Sequence, residues 1–364
     1  MNYSDFYSNL FRHLYITRQA EGTETAERVR SMLPHHTPHI IEGKDDIPEE
    51  NRNAASLFLT HPLGRIVGRC PGSSGHLCCN YLTVNLYIGC TVGCSYCIMK
   101  WYLNFEPITV VADPSGAISS IEAAARENPG CMIRVGTGEV GDSLLLDPLC
   151  GLSHRFVESL AAYPNVYFEL KTKTTFVDHL LSIRPKGNAV IAFSLNPKAI
   201  VEREEPWASP VEDRFKAAER AVSAGFLLAF HFDPVILVPG WEEEYLPLVD
   251  RIGEFDAARI AWISLGTFRY PPELKSKMEP RPYLFDEFVK CRDGKYRYVQ
   301  KKRIGAYRFL ADALGKRGIS APVYMCMESP AVWKAVFGGV PPELTEVKPL
   351  FIRPTLFEGG FPPR

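Results

Sequence analysis

Short apolar runs alternate with amphipathic stretches between residues 82 and 265. Each run is rich in β-branched or aromatic side chains and is bounded by turn residues, a pattern typical of buried strands. The runs predict six strands, at 82–88, 132–135, 166–170, 189–195, 226–232 and 261–265. These six runs are therefore the strand candidates of the chain.

Helical patterns lie between most of these runs. The clearest covers 210–224, where Ser209 and Glu212 match a capping box and Pro210 occupies the first helical position. Its apolar residues recur every three or four positions and give one buried stripe. A second helix is predicted to begin after Asp113-Pro114 and to stop at 128–130.

This alternation of strands and helices predicts an α/β fold with right-handed βαβ units and a parallel sheet. Six strands can form either an open doubly wound sheet or an incomplete barrel, and periodicity does not distinguish the two. Ligands gather at the carboxyl ends of the strands in both architectures. The loops that follow the strands are therefore where chemistry is expected.

Three regions are predicted along the chain. Residues 1–80 form an N-terminal extension, which we expect to be helical and irregular because it contains Pro/His-rich and charged stretches. Residues 81–266 form the core, and residues 267–364 form a C-terminal segment that ends in the sequence FEGGFPPR. We expect this last segment to cover the open end, or mouth, of the core.

Neither a signal peptide nor a membrane span is expected. The first residues alternate polar and apolar side chains, whereas a signal peptide needs an uninterrupted apolar stretch. The most apolar stretch, 221–241, is interrupted by His231, Asp233 and two prolines and is too polar to cross a bilayer. The sequence therefore predicts a cytoplasmic protein with no membrane partner.

Composition narrows the classes of protein further. The chain has 364 residues, 46% of them apolar, and a net charge of −1, which excludes low-complexity disorder and a polycation that coats nucleic acid. It has ten cysteines, too few for a disulfide scaffold of this length, and six of them lie between Cys70 and Cys97. Such clustering indicates a bound metal.

The loop after the first predicted strand carries the most specific motif. Cys90, Cys94 and Cys97 have the spacing C-x3-C-x2-C, and Gly93 permits a tight wrap that aims three thiolates at one centre. Thiolates select zinc, copper(I) or iron–sulfur clusters, and a structural zinc site needs a fourth ligand that no second cysteine knuckle supplies. Three thiolates on a four-iron cluster leave one iron open to a ligand, as a catalytic cluster requires.

This motif resembles the cluster-binding motif of the radical S-adenosylmethionine (SAM) superfamily, in which an aromatic residue precedes the last cysteine, as Tyr96 does here. The resemblance implies a partial (β/α)6 barrel, a [4Fe–4S] cluster held by the three cysteines, and SAM as the second cofactor. A Gly-Gly-Glu-like turn follows the second strand in that superfamily, and Gly138 and Glu139 match it. The resemblance assigns these two residues to the amino group of SAM.

Within that superfamily the chain resembles the spore photoproduct lyase family over roughly residues 60–310. The similar segments are Thr172-Lys173 with the following VDHLL, the FSLN segment that contains Ser194, Glu205-Pro206, and GKYRYVQ at 294–300. In that family the matching lysine and serine contact SAM. The resemblance therefore assigns Lys173 and Ser194 to the SAM site.

Two departures from the family pattern concern the return of a hydrogen atom. Family members carry a cysteine at the end of the second strand, where this chain has Gly136, and a tyrosine directly after the last cluster cysteine, where it has Ile98. Tyr96 remains as a catalytic candidate for relaying a radical, and Cys326 is a candidate for the missing donor if the C-terminal segment reaches the site. We therefore interpret the chain as a divergent relative of the DNA-repair lyase.

The function that the resemblance implies is a radical SAM enzyme of the lyase type. Such an enzyme cleaves SAM to a 5′-deoxyadenosyl radical, which here would abstract hydrogen from damaged or modified DNA, with an electron donor such as flavodoxin or ferredoxin. One alternative keeps the radical chemistry but assigns a peptide, a protein or a small metabolite as substrate. A second alternative is a non-enzymatic iron–sulfur module that binds nucleic acid.

Other chemistry-bearing residues leave two interpretations open. Cys70, Cys78 and Cys79 either ligate something or pack as small buried hydrophobes. The basic run at 291–303, with two interleaved tyrosines, either contacts phosphates and bases or forms a solvated helix face.

Overall fold

The computed structural model describes residues 2–62, 66–73, 75–79, 81–103 and 106–340. Its strands are β1 His13–Thr17, β2 Pro38–Ile41, β3 Ser56–Thr60, β4 Val67–Arg69, β5 Leu82–Val84, β6 Tyr87–Ile88, β7 Ile108–Val111, β8 Ile133–Gly136, β9 Val166–Thr172, β10 Asn188–Ser194, β11 Leu227–Val235, β12 Ile260–Thr267, β13 Arg269–Tyr270, β14 Phe288–Lys290, β15 Tyr296–Tyr298 and β16 Val323–Met325. Its α-helices are α1 Tyr3–Leu10, α2 Glu24–Met32, α3 Met99–Tyr102, α4 Ser115–Glu127, α5 Asp147–Cys150, α6 Leu152–Leu160, α7 Lys198–Glu204, α8 Val211–Ser223, α9 Trp241–Ile252, α10 Pro272–Lys277, α11 Gln300–Lys316 and α12 Pro330–Phe337. The C-terminal sequence FEGGFPPR lies outside the described residues.

A curled sheet forms the centre of the molecule, in the order β16-β12-β11-β10-β9-β8-β5-β4. The strands β5 and β8 to β12 run parallel and follow one another in chain order. The predicted helices at 114–128 and 210–224 are α4 and α8, and α8 packs on β10 and β11. The partial (β/α)6 barrel that the sequence predicts is therefore confirmed.

A second sheet lies in the N-terminal region, in the order β2-β1-β3-β7-β6. Its strands are parallel except for β6. The prediction of helical and irregular structure for residues 1–80 is wrong for β1, β2 and β3, which form a parallel unit. Each of these strands has only four or five residues, and the Pro/His-rich and charged stretches between them obscure the strand pattern.

The first predicted strand, 82–88, is divided between the two sheets. β5 belongs to the curled sheet, whereas β6 belongs to the N-terminal sheet. Between them Leu86 N donates to Val84 O at 3.0 Å, which turns the chain after the polar Asn85. The segment is therefore two short strands rather than one.

Helix α8 begins at Val211, and no side chain caps its amino end. The predicted capping box is wrong because both of its members bond elsewhere. Ser209 Oγ accepts a hydrogen bond from Thr175 N at 3.1 Å, and Glu212 pairs with Arg251 at 3.6 Å. Ser209 thus holds the loop after β9 instead of the helix.

One hydrophobic cluster extends through both sheets. Buried residues of the N-terminal region, such as Tyr7 and Leu14, belong to the same cluster as Val135 of the curled sheet. The Tyr7 hydroxyl also donates to the Leu145 carbonyl at 2.7 Å. The N-terminal region therefore packs as part of the same unit as the barrel.

The C-terminal segment returns to the barrel after a small antiparallel sheet of β13, β15 and β14. Strand β16 pairs in parallel with β12, and directly after it Cys326 N donates to Leu265 O at 2.7 Å. A backbone bridge joins Leu77 to Glu328. No helix in the described part of the chain is long and apolar enough to cross a membrane.

Candidate active site

The three motif cysteines lie on one loop, residues 89–98, between β6 and α3. Gly89 and Gly93 have φ values of 90° and 72°, which glycine adopts without strain. Cys94 is buried, Cys97 is half-buried and Cys90 is exposed. The glycines therefore let this cysteine loop turn tightly enough to carry three thiols within eight residues.

Backbone hydrogen bonds hold the cysteine loop against the loop that follows β8 and against the end of α7, the helix that follows β10. They join Gly89 to Val140, Ser95 to Glu204 and Trp207 to Val92, at 3.1, 2.8 and 3.2 Å. Because β8 and β10 are barrel strands, the cysteine loop lies over the carboxyl end of the barrel, although it starts from the N-terminal sheet.

The donor set of the cysteine loop fits a [4Fe–4S] cluster. Thiolates are the usual ligands of such clusters, and Cys90, Cys94 and Cys97 would hold three irons and leave the fourth for another ligand. Within the described residues, no set of three or more Cys, His, Asp or Glu side chains is arranged around a single metal ion.

The turn after β8 approaches the start of the cysteine loop closely. A Cβ on Gly141 would lie 2.7 Å from Tyr87 O, and a Cβ on Gly138 would lie 2.7 Å from Lys171 Cβ. These positions therefore require glycine. Burial raises the pKa of Glu139, the next residue after Gly138. The predicted pair thus lies at the carboxyl end of the barrel beside the cysteine loop.

Glu205 is the centre of a buried network next to the cysteine loop. Its carboxylate accepts hydrogen bonds from the Tyr96 hydroxyl and from Lys173 Nζ, Asn196 Nδ2 and Arg214 Nη2, the last three at 2.8, 3.0 and 2.6 Å. Burial alone would raise the pKa of Glu205, but the charges of Lys173 and Arg214 outweigh burial and hold this pKa well below its usual range. Glu205 therefore stays ionised and fixes the side chains around it.

The structure brings together the other residues predicted for SAM. Lys173 follows β9, and its Nζ lies 5.6 Å from the centre of the Tyr96 ring. Ser194 ends β10, and its carbonyl accepts a hydrogen bond from Arg214 at 2.7 Å. With the turn after β8, the predicted SAM residues thus lie at the ends of three adjacent strands.

Cys326 lies at the end of β16 among ion-paired residues. Arg269 donates to the Cys326 sulfur at 3.8 Å and to Asp233 Oδ1 at 3.1 Å. Burial raises the pKa of the Cys326 thiol well above its ordinary value. The C-terminal segment therefore places a protonated thiol at the carboxyl end of the barrel sheet.

A second polar network, which sequence reasoning missed, fills the inside of the barrel. Arg134 donates to Glu169 and to the Tyr324 hydroxyl at 3.2 and 2.8 Å. Glu169 also bonds to His231 Nε2 and Trp262 Nε1 at 2.7 and 2.9 Å. The sequence does contain a signal for this network. At both Arg134 and Glu169 a charged residue interrupts an apolar run that is predicted to be a strand.

The basic run at 291–303 does not form one exposed face. Arg297 is buried and donates to both carboxylate oxygens of Asp293 at 2.8 Å, and Arg303 is buried and pairs with Glu328 at 2.9 Å. Of the six basic residues in the run, the exposed ones are Arg292 and Lys301. Both sequence interpretations, a phosphate-binding patch and a solvated helix face, are therefore wrong for the buried members.

A curled parallel sheet with a three-cysteine loop over its carboxyl end, and with a glycine-rich, carboxylate-bearing turn at the same end, defines the radical SAM class of fold. The sequence model of the spore photoproduct lyase family matches residues 76–261, and this chain belongs to that family. The spore photoproduct lyase of Bacillus subtilis (strain 168) is 24% identical over 225 residues, which cover 62% of this chain and 64% of that protein. The spore photoproduct lyase of Geobacillus sp. (strain Y412MC61) is 26% identical over 231 residues, which cover 63% of this chain and 66% of that protein. Both alignments thus span less than two thirds of the relative's length.

Solved structures of spore photoproduct lyase share the fold. One, complexed with dinucleoside spore photoproduct, matches with a TM-score of 0.74 at 19% identity and covers 86% of this chain and 98% of that chain. Another, a variant with bound AdoMet and dinucleoside spore photoproduct, matches with a TM-score of 0.71 at 19% identity, over 87% of this chain and 98% of that chain.

Proposed function

We propose that this protein is a radical SAM enzyme of the lyase type that acts on a thymine photoproduct in DNA. The observation that carries the proposal is the meeting of the cysteine loop, the turn after β8 and the ends of β9 and β10 at one end of the barrel. Family membership supports the substrate class, because the relatives are spore photoproduct lyases and both solved structures described above contain dinucleoside spore photoproduct.

The chain supplies binding groups for both cofactors. Cys90, Cys94 and Cys97 hold the [4Fe–4S] cluster, which together with SAM supplies a 5′-deoxyadenosyl radical for hydrogen abstraction. An electron donor of the flavodoxin or ferredoxin type provides the electron.

SAM is oriented by groups on three adjacent strand ends. The Glu139 carboxylate suits the ammonium group of SAM, and Gly138 lets the main chain come close to the ligand. An ammonium has three donors, so Lys173 keeps its bond to Glu205 and has others to offer to SAM, as does the Ser194 hydroxyl.

Tyr96 and Cys326 are the proposed catalytic side chains. The Tyr96 hydroxyl bonds to the ionised carboxylate of Glu205, which can take the phenolic proton when the ring loses an electron. Cys326 has a protonated thiol near the barrel mouth and stays a prediction for the hydrogen-atom donor.

Anaerobic reconstitution with iron, sulfide, SAM and a strong reductant tests whether this protein is a radical SAM enzyme. We expect about four irons per chain and release of 5′-deoxyadenosine. Cys97→Ala should lose both, whereas Cys131→Ala should keep both, because Cys131 precedes β8 at the amino end of the barrel. Equal iron content and activity in the two variants would contradict the proposal.

Irradiated DNA, scored for loss of the thymine photoproduct, tests the substrate. Loss of the photoproduct supports the lyase. Release of 5′-deoxyadenosine without loss of photoproduct would instead support a peptide, protein or metabolite substrate, an alternative that the absence of a side chain at Gly136 favours. Bound iron with no 5′-deoxyadenosine would indicate the non-enzymatic module.

A further inference from the structure

An exposed tryptophan, Trp207, lies against the cysteine loop from the solvent side. Its backbone N donates to Val92 O at 3.2 Å, and Cδ1 of its ring lies 3.6 Å from the position that a Cβ on Gly93 would take. Trp207 is nevertheless 75% exposed. Because Gly93 stands between Cys90 and Cys94 in the sequence, a molecule that touches the indole ring comes within one side chain of the loop that carries the cluster ligands.

Exposed aromatic side chains are concentrated on elements beside the cysteine loop. In the part of the chain that the structure describes, the exposed large hydrophobic residues are Tyr102, Trp207, Phe285, Val289 and Phe337. Tyr102 belongs to α3, which follows the loop directly. Phe285 ends the short 3-10 helix Pro282–Phe285, whose Tyr283 hydroxyl donates to Glu204 at 3.2 Å, and Ser95 of the loop bonds to the same carboxylate. Three of the five therefore border the loop, whereas hydrophobic residues scattered singly over a surface need no explanation.

Two exposed cations flank the indole ring. Lys100 Nζ donates to Gly93 O at 3.1 Å, so Lys100 and Trp207 meet at the same glycine. Arg203 is exposed and pairs at 2.8 Å with Glu204, whose carboxylate is fully buried. Two exposed carboxylates nearby are each paired with a cation, as Glu202–Lys198 at 3.8 Å and Glu279–Arg281 at 2.8 Å. The indole face, formed by Lys100, Arg203 and Trp207, thus presents an aromatic ring and positive charge to solvent.

The indole face fits a protein better than a nucleic acid. A protein that binds nucleic acid through the phosphates contacts several of them with lysine and arginine side chains, and this face has two exposed cations. Tryptophan and arginine are instead the residues that concentrate in protein interfaces and dominate their binding energy. An acidic protein with an apolar or aromatic centre would match both the charge and the ring.

We propose that the indole face docks an acidic electron-transfer protein of the flavodoxin type, which reduces the cluster. This proposal rests on the proposed function, which needs an electron at the cysteine loop. One electron passes from the reduced flavin of the donor to the cluster, so the flavin is oxidised and the cluster is reduced by one electron each. No covalent bond forms between the two proteins.

Each residue of the face has a separate part in docking. The Trp207 ring packs against the exposed edge of the flavin, because flat aromatic surfaces give a large contact at little cost in conformational entropy. Lys100 and Arg203 attract the acidic residues around the flavin and raise the rate of encounter. The interface is small, as in other electron-transfer encounters, so that the oxidised donor leaves and a reduced one replaces it.

Affinity for the donor tests the face without any turnover. Flavodoxin is titrated into the full-length reconstituted protein, and its dissociation constant is measured by calorimetry. We expect Trp207→Ala to raise this constant by about tenfold or more. Lys100→Gln should raise it by about threefold at low salt and by less at high salt, because salt screens exposed charges. The matched controls are Phe337→Ala at the end of α12 and Lys316→Gln at the end of α11, and both should leave it unchanged.

A comparison of two reductants tests the electron transfer. SAM cleavage is driven either by flavodoxin with its reductase or by dithionite, a small anion that needs no docking surface. We expect Trp207→Ala to lower release of 5′-deoxyadenosine by about tenfold with flavodoxin and to leave it unchanged with dithionite. If Trp207→Ala loads less iron than the wild-type protein, Lys100→Gln, which keeps the indole ring, decides the same comparison.

The remaining outcomes separate the two proposals. Equal losses with both reductants would show that the indole ring holds the cysteine loop rather than a donor, and unchanged affinity for flavodoxin in both variants would also overturn the docking proposal. Weaker binding of irradiated DNA with unchanged affinity for flavodoxin would overturn it too and would assign the face to nucleic acid. Failure of the wild-type protein to release 5′-deoxyadenosine with dithionite overturns the proposed function instead.

Discussion

Glu205 shows how one side chain organises the candidate site. Its carboxylate binds Tyr96 of the cysteine loop, Lys173 after β9 and Arg214 of α8. A single buried charge thereby fixes side chains from three parts of the chain. Both the stability of the fold and the order of the site depend on this residue.

We expect Glu205→Gln to lower the free energy of unfolding by about 3 kcal/mol, because the buried Arg214 and its neighbour Lys173 lose their counter-ion. Urea denaturation followed by circular dichroism measures this change. The matched control is Glu202→Gln on the exposed face of α7, where the loss of an ion pair with Lys198 should cost less than about 0.5 kcal/mol. Similar losses in both variants would show that Glu205 is an ordinary surface carboxylate.

Gly138 is a position where a single methyl group should matter. Its Cβ would lie 2.7 Å from Lys171 Cβ, so Gly138→Ala should displace the turn that carries Glu139 and lower the free energy of unfolding by about 2 kcal/mol. SAM affinity, measured by calorimetry, should fall as well. Gly116→Ala in α4 is the control, since nothing lies within 4 Å of its Cβ position, and it should raise stability by up to about 1 kcal/mol. Unchanged SAM affinity in Gly138→Ala would show that this turn does not take part in SAM binding.

At the residue scale, the site residues that could be predicted are those that lie close together along the sequence in a fixed spacing. Cys90, Cys94 and Cys97 occupy one short loop, and Gly138 and Glu139 are adjacent. The Glu205 network and the Arg134–Glu169 pair could not be predicted, because their partners are brought together only by the curl of the sheet. A residue's chemistry is visible in the sequence, whereas its distant partner is not.

At the scale of elements, the barrel strands were predictable and the N-terminal sheet was not. The barrel strands are mostly apolar runs, since parallel strands are covered on both faces. Strands β1 to β3 are parallel too, but each is short and lies between polar stretches. The capping box at Ser209 fails for another reason: a loop outside the helix competes for the same hydroxyl group.

The first turn of α11 gives a test at this scale. Arg303→Met should lower the free energy of unfolding by about 3 kcal/mol. The buried carboxylate of Glu328 loses its cationic partner and, within the described residues, keeps only hydrogen bonds from the Tyr307 hydroxyl and Ser329 N. Lys301→Met, two residues earlier and exposed, should change it by less than about 0.5 kcal/mol. Thermal and urea denaturation of both variants measure the difference. A small effect of Arg303→Met would mean that this charge is solvated after all.

At the scale of the whole molecule, the shared hydrophobic cluster predicts cooperative unfolding. Tyr7 and Leu14 pack in the same cluster as Val135, so the N-terminal sheet and the barrel should unfold together. Tryptophan fluorescence and far-ultraviolet circular dichroism should give coincident urea transitions. A chain that begins at residue 61 should bind a hydrophobic dye and lack a cooperative transition. Two separate transitions in the full-length protein would contradict this expectation.

The division of residues 82–88 between two sheets has a consequence for protein engineering. The cysteine loop starts at β6, which belongs to the N-terminal sheet, and it ends over the barrel. A designer who transplants this loop onto another parallel barrel would therefore have to carry β7 and its neighbours with it. The smallest transferable unit is the loop together with the sheet from which it starts.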